Sequence, residues 1–332
     1  MKKWLVDVPV RINIWIRPEC QRKQFEVLKK ARPSILFVTS DGGRNEREWE
    51  LIRQNRKIYD TEIDWECTVY KLYMDTNLGM YAMGKARENL IWQKVDRCIF
   101  LEDDILPSVS FFRFCAELLE RYKDDQRIEC ICGMNHLESS DEVSSDYFFS
   151  RQGSIWGVGL WRRTFLENKF EYANDTYIME LLKKRTRYNT AAWKRLVAYG
   201  SHDKYEGHVP GLEFWIEFDM YSRNRLQIIP KKNLISNIGC TGDSAHSDDL
   251  SQLPKGMRRI FNMKTYELEF PLKHAEYVIP DVKYEKKRNR IMAYNMPIIS
   301  FYRKMERLFR KVLSGDFNYI IIKLKNKIRG EM

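Results

Sequence analysis

Up to about residue 104, apolar residues follow two patterns that alternate along the chain. In some stretches they occupy every second position, as in a strand, and in the stretches between they recur with helical spacing. Strands separated by helices imply right-handed crossovers, and therefore an α/β fold with a mostly parallel central sheet and helices on both faces. The predicted strands cover about residues 10–16, 35–38, 68–73 and 98–101, and the predicted helices about residues 25–31, 45–57 and 81–93.

The alternation continues briefly after residue 104 and then ends. A helix over residues 111–122 and a strand over residues 128–133 are still predicted. From about Tyr147, aromatic and glycine-rich stretches with short helices at 191–199 and 213–222 replace it. The predicted layout is a first half to about residue 135, a second half over 136–282 and a tail over 283–332.

Three adjacent acids, Glu102, Asp103 and Asp104, follow the strand predicted at residues 98–101. Adjacent carboxylates repel one another, and they are costly where a strand leaves the core unless a cation neutralises them. A hard divalent ion held by oxygen ligands is the simplest solution. The alternative interpretation is an ordinary acidic turn. The carboxyl ends of strands in an open α/β sheet are also where ligands bind, which favours the metal.

Arg17 and Asp41 follow the first and second predicted strands, so both are expected at the same edge of the sheet as the acids. An aspartate there accepts a hydrogen bond from a base N–H, and an arginine contacts a base carbonyl or a phosphate. Each is an ordinary turn or solvated charge by itself. Together with the acids they predict a site for a nucleoside diphosphate and its metal.

Charge and cysteine content bear on compartment and partners. The net charge is +11, and residues 283–332 hold fourteen Lys and Arg against four acidic residues, a net charge of +10. Seven scattered cysteines without paired spacing predict buried thiols in a reducing compartment, not disulfides or a zinc site. Neither a signal peptide nor an apolar run long enough to span a membrane is predicted, so we expect a cytoplasmic protein.

The basic tail contains two predicted amphipathic helices, each with an apolar stripe and several cations. This composition favours peripheral binding to the anionic inner leaflet of a membrane. A helix packed on the rest of the protein, with solvated cations, is the alternative, and nucleic acid is disfavoured because it needs no continuous apolar stripe. The apolar stripes are Phe301, Met305, Leu308, Phe309 and Val312, and then Phe317, Ile320, Ile321, Leu324 and Ile328.

Over roughly residues 8–250, the order of these motifs resembles the GT-A fold glycosyltransferases, especially bacterial family-2-like sugar transferases. The acid motif is also similar to that of the eukaryotic N-acetylglucosaminyltransferase I group. The resemblance implies a Rossmann-like GT-A catalytic domain over residues 1–282, with a nucleotide-binding half to about residue 135 and an acceptor half over 136–282. The motifs are Arg17-Pro18-Glu19, Ser40-Asp41-Gly42, Asn77-Leu78-Gly79 and the FLEDDILPS segment that contains the acids.

The resemblance implies roles for individual residues. Asp104, with Asp103, would ligate Mn²⁺ or Mg²⁺ between the two phosphates of the donor, and Asp103 and Glu102 would hold the ribose or the donor sugar. Asp41 and Arg17 would read the base, expected to be uracil. The donor-binding set also includes Asn77 and the aromatic-glycine loop with Trp156 and Gly157, and His246 would complete the metal shell or contact phosphate.

An inverting transfer needs a general base for the acceptor hydroxyl. The resemblance implies that this base lies in an acidic-aromatic segment about a hundred residues beyond the metal motif. The matching segment begins at Gly211, and Glu213 aligns best with the family's base. It departs from the family by having Glu for Asp and Leu212 for the first aromatic residue, so Glu217 and Asp219 remain alternatives.

The sequence thus predicts a cytoplasmic glycosyltransferase, peripheral on the inner membrane face, that acts in bacterial surface polysaccharide synthesis. Its partners would be a nucleotide-sugar donor and a glycan or lipid-linked acceptor. The first alternative is a metal-dependent phosphoesterase or nucleotidyltransferase using the same acids. The second is a non-catalytic protein that binds sugar nucleotides or nucleic acid.

Overall fold

The computed structural model describes residues 1–166, 222–239, 253–294 and 296–313, together with residues 212, 216, 219, 220 and 250. The helix predicted at residues 191–199, most of the helix predicted at 213–222 and the second amphipathic stripe of the tail lie outside them.

Ten strands are described, and eight of them form one mixed sheet. The sheet has the order β3-β2-β1-β4-β8-β6-β9-β7, while β5 and β10 form a small antiparallel pair. Four of the seven pairings in the large sheet are parallel. The strands are β1 (Val6–Ile14), β2 (Pro33–Ser40), β3 (Thr68–Tyr73), β4 (Arg97–Leu101), β5 (Ile105–Pro107), β6 (Ile128–Cys132), β7 (Tyr147–Ser150), β8 (Val158–Trp161), β9 (Leu226–Pro230) and β10 (Ile235–Asn237).

Helices connect the first four strands and cover the sheet, which confirms the α/β class. Their order along the chain follows the sequence pattern closely up to β4. The described helices are α1 (Pro18–Ala31), α2 (Glu46–Thr61), α3 (Gly79–Lys94), α4 (Ser110–Arg121), α5 (Arg163–Leu166), α6 (Lys255–Arg258), α7 (Val282–Met292) and α8 (Pro297–Leu313).

The start of α2 shows how local sequence sets an element. Asn45 Oδ1 accepts a hydrogen bond from the backbone N–H of Glu48 at 3.0 Å. Glu48 in turn accepts one from the backbone N–H of Arg44 at 2.8 Å. The cap by Asn45 satisfies one donor that a helix start leaves unpaired, and Glu48 fixes the residue that precedes the cap.

The second half of the large sheet differs from the predicted pattern. The antiparallel strand β8 lies between β4 and β6, and β7 forms the edge beside β9. All four residues of β7 and all four of β8 are buried. Because both faces of these short strands are covered, their sequences lack the period-two signal of a half-exposed strand.

The parallel strands end at one edge of the sheet, hereafter the rim. Ile14 pairs with Ser40 and Ser40 with Tyr73, while Ile12 pairs with Leu101. The segments after β1, β2, β3 and β4 therefore emerge side by side. This confirms the prediction that the segments after β1, β2 and β4, which carry Arg17, Asp41 and the three acids, lie at the same edge of the sheet.

Helix α7 packs on the body of the protein, while much of α8 is exposed. Tyr284 of α7 is buried and meets Phe148 at a ring distance of 4.8 Å. Arg288 donates a hydrogen bond to the carbonyl of Gly153 at 2.7 Å. The described cysteines are free and, except for the half-buried Cys67, buried.

Candidate functional site

At the rim, Asp103 and Asp104 are held against Arg17, the residue before α1. Arg17 Nη1 lies 2.8 Å from Asp104 Oδ2 and 3.4 Å from Asp103 Oδ2. The three side chains are between 9% and 16% exposed, so water screens the charges weakly. Arg17 thus neutralises the two aspartates directly, which the sequence did not predict.

Burial and neighbouring charges shift the pKa values of Arg17 and Asp103. Burial would lower the pKa of Arg17, but the charges of Asp103 and Asp104 outweigh it and raise that pKa above its usual value. Burial raises the pKa of Asp103 to about 6, with a smaller raising effect from Asp104 and an opposing effect from Arg17. A cation placed beside Asp103 would therefore favour the ionised form of its carboxyl group.

Two buried glutamines of α1 fix the backbone of the acidic loop. Gln24 Nε2 donates to the carbonyls of Glu102 at 2.8 Å and Ile105 at 2.7 Å. Gln21 Nε2 donates to the carbonyls of Asn13 at 3.0 Å and Asp103 at 3.3 Å. Sequence reasoning missed both residues. The available signal was their position, since two amides lie on the apolar stripe of an amphipathic helix.

Glu102 interacts with a different set of charges from its two neighbours. Burial, together with Asp104 and Asp103, raises the pKa of Glu102 to about 7, while Arg11 and Arg87 oppose the shift. Arg11 is 7% exposed and lies 4.1 Å from the ring centroid of Phe100. Burial and the charge of Arg87 lower the pKa of Arg11 to about 9.

Asp41 and Asn77 join the loops that follow β2 and β3. The Asp41 carboxylate accepts hydrogen bonds from the backbone N–H groups of Leu78 at 2.8 Å and Gly79 at 3.0 Å. Asn77 Nδ2 donates to the carbonyl of Gly42 at 2.7 Å. A Cβ on Gly42 would lie 2.3 Å from a backbone carbon of the facing loop, so only glycine fits. Asp41 and Asn77 thus join the loops after β2 and β3 at the rim. Base recognition by Asp41 stays a prediction.

The aromatic-glycine loop lies beside the end of β4. Val158 pairs with Phe100, which brings Gly157 level with Leu101, the residue before the acids. Gly157 has φ +65°, and a Cβ there would lie 2.5 Å from Ile235 Cδ1. Trp156 is half-buried, with its ring centroid 5.1 Å from that of Phe261. The loop is near the acids, and stacking of Trp156 on a sugar stays a prediction.

The segment after β10 packs directly on Asp104. Ile238 N donates to the carbonyl of Asp104 at 3.0 Å. A Cβ on Gly239 would lie 2.1 Å from Asp104 Oδ2. The predicted metal-shell residue His246 follows seven positions later and lies outside the described residues.

Of the three candidate bases, only Asp219 is among the described residues. Its side chain is fully buried, with Oδ2 2.9 Å from Arg225 Nη1 and Oδ1 3.0 Å from Arg223 Nε. Burial between two arginines does not favour contact with an acceptor hydroxyl. The candidates Glu213 and Glu217 lie outside the described residues.

The acids have the chemistry of a shared metal site. Within the described part of the chain, no three His, Cys, Asp or Glu side chains are grouped so that they could hold a metal ion. Asp103 Oδ2 and Asp104 Oδ1 are buried and accept no hydrogen bond from the described residues. One or two carboxylates completed by substrate phosphates are a common way to hold Mg²⁺. The residues therefore fit a divalent cation shared with phosphates.

No protein-family model matches the chain, and no curated protein matches it in sequence. Among solved structures, it is similar to mannosyltransferase PcManGT from Pyrobaculum calidifontis in complex with GDP-Man and Mn²⁺, with a TM-score of 0.32, 8% sequence identity and 48% of each chain covered. It is also similar to A197 from STIV, with a TM-score of 0.25 and 9% identity, covering 49% of this chain and 66% of that one. Thus the chain spans about half the length of the first of these structures. Similarity at this level assigns neither a family nor a reaction.

Proposed function

We propose that the chain is a metal-dependent glycosyltransferase, with a UDP-sugar as donor and a glycan or lipid-linked acceptor. The observation that supports this is the pair Asp103 and Asp104 at the carboxyl end of β4. One buried oxygen of each carboxylate, Asp103 Oδ2 and Asp104 Oδ1, accepts no hydrogen bond from the described residues, and their loop is fixed by Gln21 and Gln24. Charge that develops in a transition state is stabilised best by groups that are already oriented before the substrate binds.

On the donor side, Asp103 and Asp104 would hold the cation together with the donor phosphates. A bound divalent cation stabilises the charge that develops on the departing nucleoside diphosphate. Arg17 is within contact of both carboxylates and would bind a phosphate or the base once it leaves them. Asp41 would complete base recognition, and Trp156 would cover one face of the sugar.

On the acceptor side, Glu213 would remove the proton of the acceptor hydroxyl, with Glu217 as its alternative, and the transfer would proceed with inversion. His246 would contact the phosphates or the cation. The proposed setting is bacterial surface polysaccharide synthesis at the cytoplasmic face of the inner membrane. The support for that location is the basic tail.

Thermal unfolding in the presence of nucleotides tests the donor side without knowledge of the acceptor. UDP, GDP, CDP, ADP and CMP are each compared with Mn²⁺ and with EDTA. A ligand that binds only the folded state stabilises it by about 2.7 kcal/mol at a hundredfold excess over its Kd. We expect stabilisation by UDP with Mn²⁺, and none with EDTA. Turnover is then measured as UDP release from a panel of UDP-sugars.

Two variants complete the test. Asp104→Ala should lose both the Mn²⁺-dependent shift and UDP release. Asp124→Ala, a change of an exposed aspartate in the turn after α4, should keep both. A flat nucleotide panel, or full turnover by Asp104→Ala in excess Mn²⁺, would refute the proposal. Pyrophosphate release from a nucleoside triphosphate would instead indicate a nucleotidyltransferase.

A further inference from the structure

Exposed apolar side chains are concentrated on α8. In the described part of the chain, sixteen large hydrophobic side chains are exposed, and eight of them belong to this one helix. Scattered apolar residues are normal on a protein surface, but a contiguous group marks a surface that binds something. The eight are Ile298, Phe301, Tyr302, Met305, Leu308, Phe309, Val312 and Leu313, with exposed fractions from 36% to 71%.

Helix α8 contacts the body of the protein through polar side chains. Glu306 Oε1 accepts a hydrogen bond from the backbone N–H of Lys255 at 3.0 Å, and Arg303 Nη2 donates to the carbonyl of Arg290 at 3.3 Å. A Cβ on Gly256 would lie 2.5 Å from Arg303 Nη2, so the guanidinium rests on α6. An amphipathic helix normally turns its apolar face to the core and its polar face to water.

The apolar arc of α8 therefore points away from the protein. At 100° per residue, Phe301, Met305 and Phe309 fall on one side of the helix, and Arg303 and Glu306 on another. Burying the apolar arc against the body would have stabilised the fold, so its outward position needs a partner outside the body.

Charge identifies the partner. Helix α8 carries five Lys and Arg against Glu306, and the whole of residues 283–332 has a net charge of +10. Among the cations, Lys304 and Arg307 are exposed. A helix with apolar residues on one arc and cations beside it suits a surface that is apolar inside and anionic outside.

We infer that α8 lies in the plane of an anionic bilayer, with its outward apolar arc at the boundary of headgroups and acyl chains. No helix in the described part of the chain is long and apolar enough to cross a membrane. The inference rests on the membrane location proposed above and assigns it to one face of one helix. Vesicle binding is measured without donor or acceptor. A negative result would therefore overturn the membrane assignment without bearing on the proposed transfer reaction.

The full-length protein is floated with vesicles of phosphatidylcholine alone or with about 30% phosphatidylglycerol. We expect binding to the anionic vesicles that weakens at high salt. Phe301→Gln with Phe309→Gln should reduce that binding more than tenfold, since both rings are over 60% exposed and lie on the apolar arc. The matched control is Trp4→Gln with Tyr277→Gln, which removes two exposed rings elsewhere and should bind like the unmodified chain.

Lys304→Gln with Arg307→Gln separates charge from apolar contact, and it should weaken binding to anionic vesicles only. Binding that survives loss of Phe301 and Phe309 would overturn the assignment to α8. No vesicle binding, with a monomer by ultracentrifugation, would also overturn it and indicate that residues 314–332 cover the arc. A lipid-free dimer dissociated by the same double substitution would show that a second copy of the chain is the partner instead.

Discussion

The ion pair between Arg17 and Asp104 gives a prediction that couples stability to metal. Arg17 Nη1 is 2.8 Å from Asp104 Oδ2, and the two side chains are 9% and 16% exposed. Removing one member of a buried pair costs about 3–5 kcal/mol. Because this pair retains some solvent contact, we expect Arg17→Gln to lower the free energy of unfolding by about 2–4 kcal/mol. In a chain of this length that loss corresponds to a fall in Tm of roughly 4 °C.

The same substitution should strengthen the effect of a divalent cation. In the unmodified protein Mn²⁺ has to displace Arg17 from Asp103 and Asp104, whereas in Arg17→Gln the carboxylates carry no counter-charge from that position. We therefore expect Mn²⁺ to raise the Tm of Arg17→Gln more than that of the unmodified protein, and to restore much of the lost stability. The assay is thermal unfolding of both proteins at neutral pH, in EDTA and across a Mn²⁺ titration.

Arg22→Gln, in the first turns of α1 just after Arg17, is the matched control. Arg22 pairs with Glu62 at 2.6 Å, but these side chains are 45% and 35% exposed. Exposed pairs contribute about 0–1 kcal/mol, so Arg22→Gln should melt close to the unmodified protein and respond to Mn²⁺ in the same way. An unchanged Tm of Arg17→Gln in EDTA would contradict the ion-pair reasoning. A lowered Tm that Mn²⁺ does not raise would contradict a cation site at the aspartates.

Three further predictions concern the loop that holds the acids. Gly239→Ala places a Cβ 2.1 Å from Asp104 Oδ2 and should reduce the Mn²⁺-dependent rise in Tm caused by nucleotide. In the control Gly84→Ala, the atom nearest to the new Cβ is Arg87 Nη2 at 3.6 Å, so the rise in Tm should be unchanged. Gln24→Met removes the amide that donates to the carbonyls of Glu102 and Ile105, and it should cost about 1–3 kcal/mol by urea unfolding. No loss would show that water replaces the amide. Because the folded-state pKa of Glu102 is raised to about 7, its carboxylate destabilises the fold increasingly as pH rises from its ordinary pKa through 7. In EDTA, Glu102→Gln should therefore gain stability relative to the unmodified protein between about pH 5 and 8, and a constant difference across that range would refute the assignment.

The orientation of α8 shows a limit of sequence reasoning. The stripe Phe301, Met305 and Phe309 was identified correctly as one face of a helix, because that face follows from helical geometry alone. Which side of the helix meets the body depends on contacts with residues more than forty positions away, such as Lys255 with Glu306. The sequence left both orientations open.

The sequence by itself determined the strand-helix alternation up to β4 and the meeting of Arg17, Asp41 and the acids at one edge. Both follow from local periodicity and from the geometry of parallel strands, whose carboxyl ends share an edge. Only the tertiary structure decided that Arg17 neutralises Asp103 and Asp104, since this contact joins residues 87 positions apart. It also decided that β8 enters the sheet beside β4 and that Gly239 packs on Asp104. Such contacts depend on distances between segments remote in sequence, and periodicity carries no information about those distances.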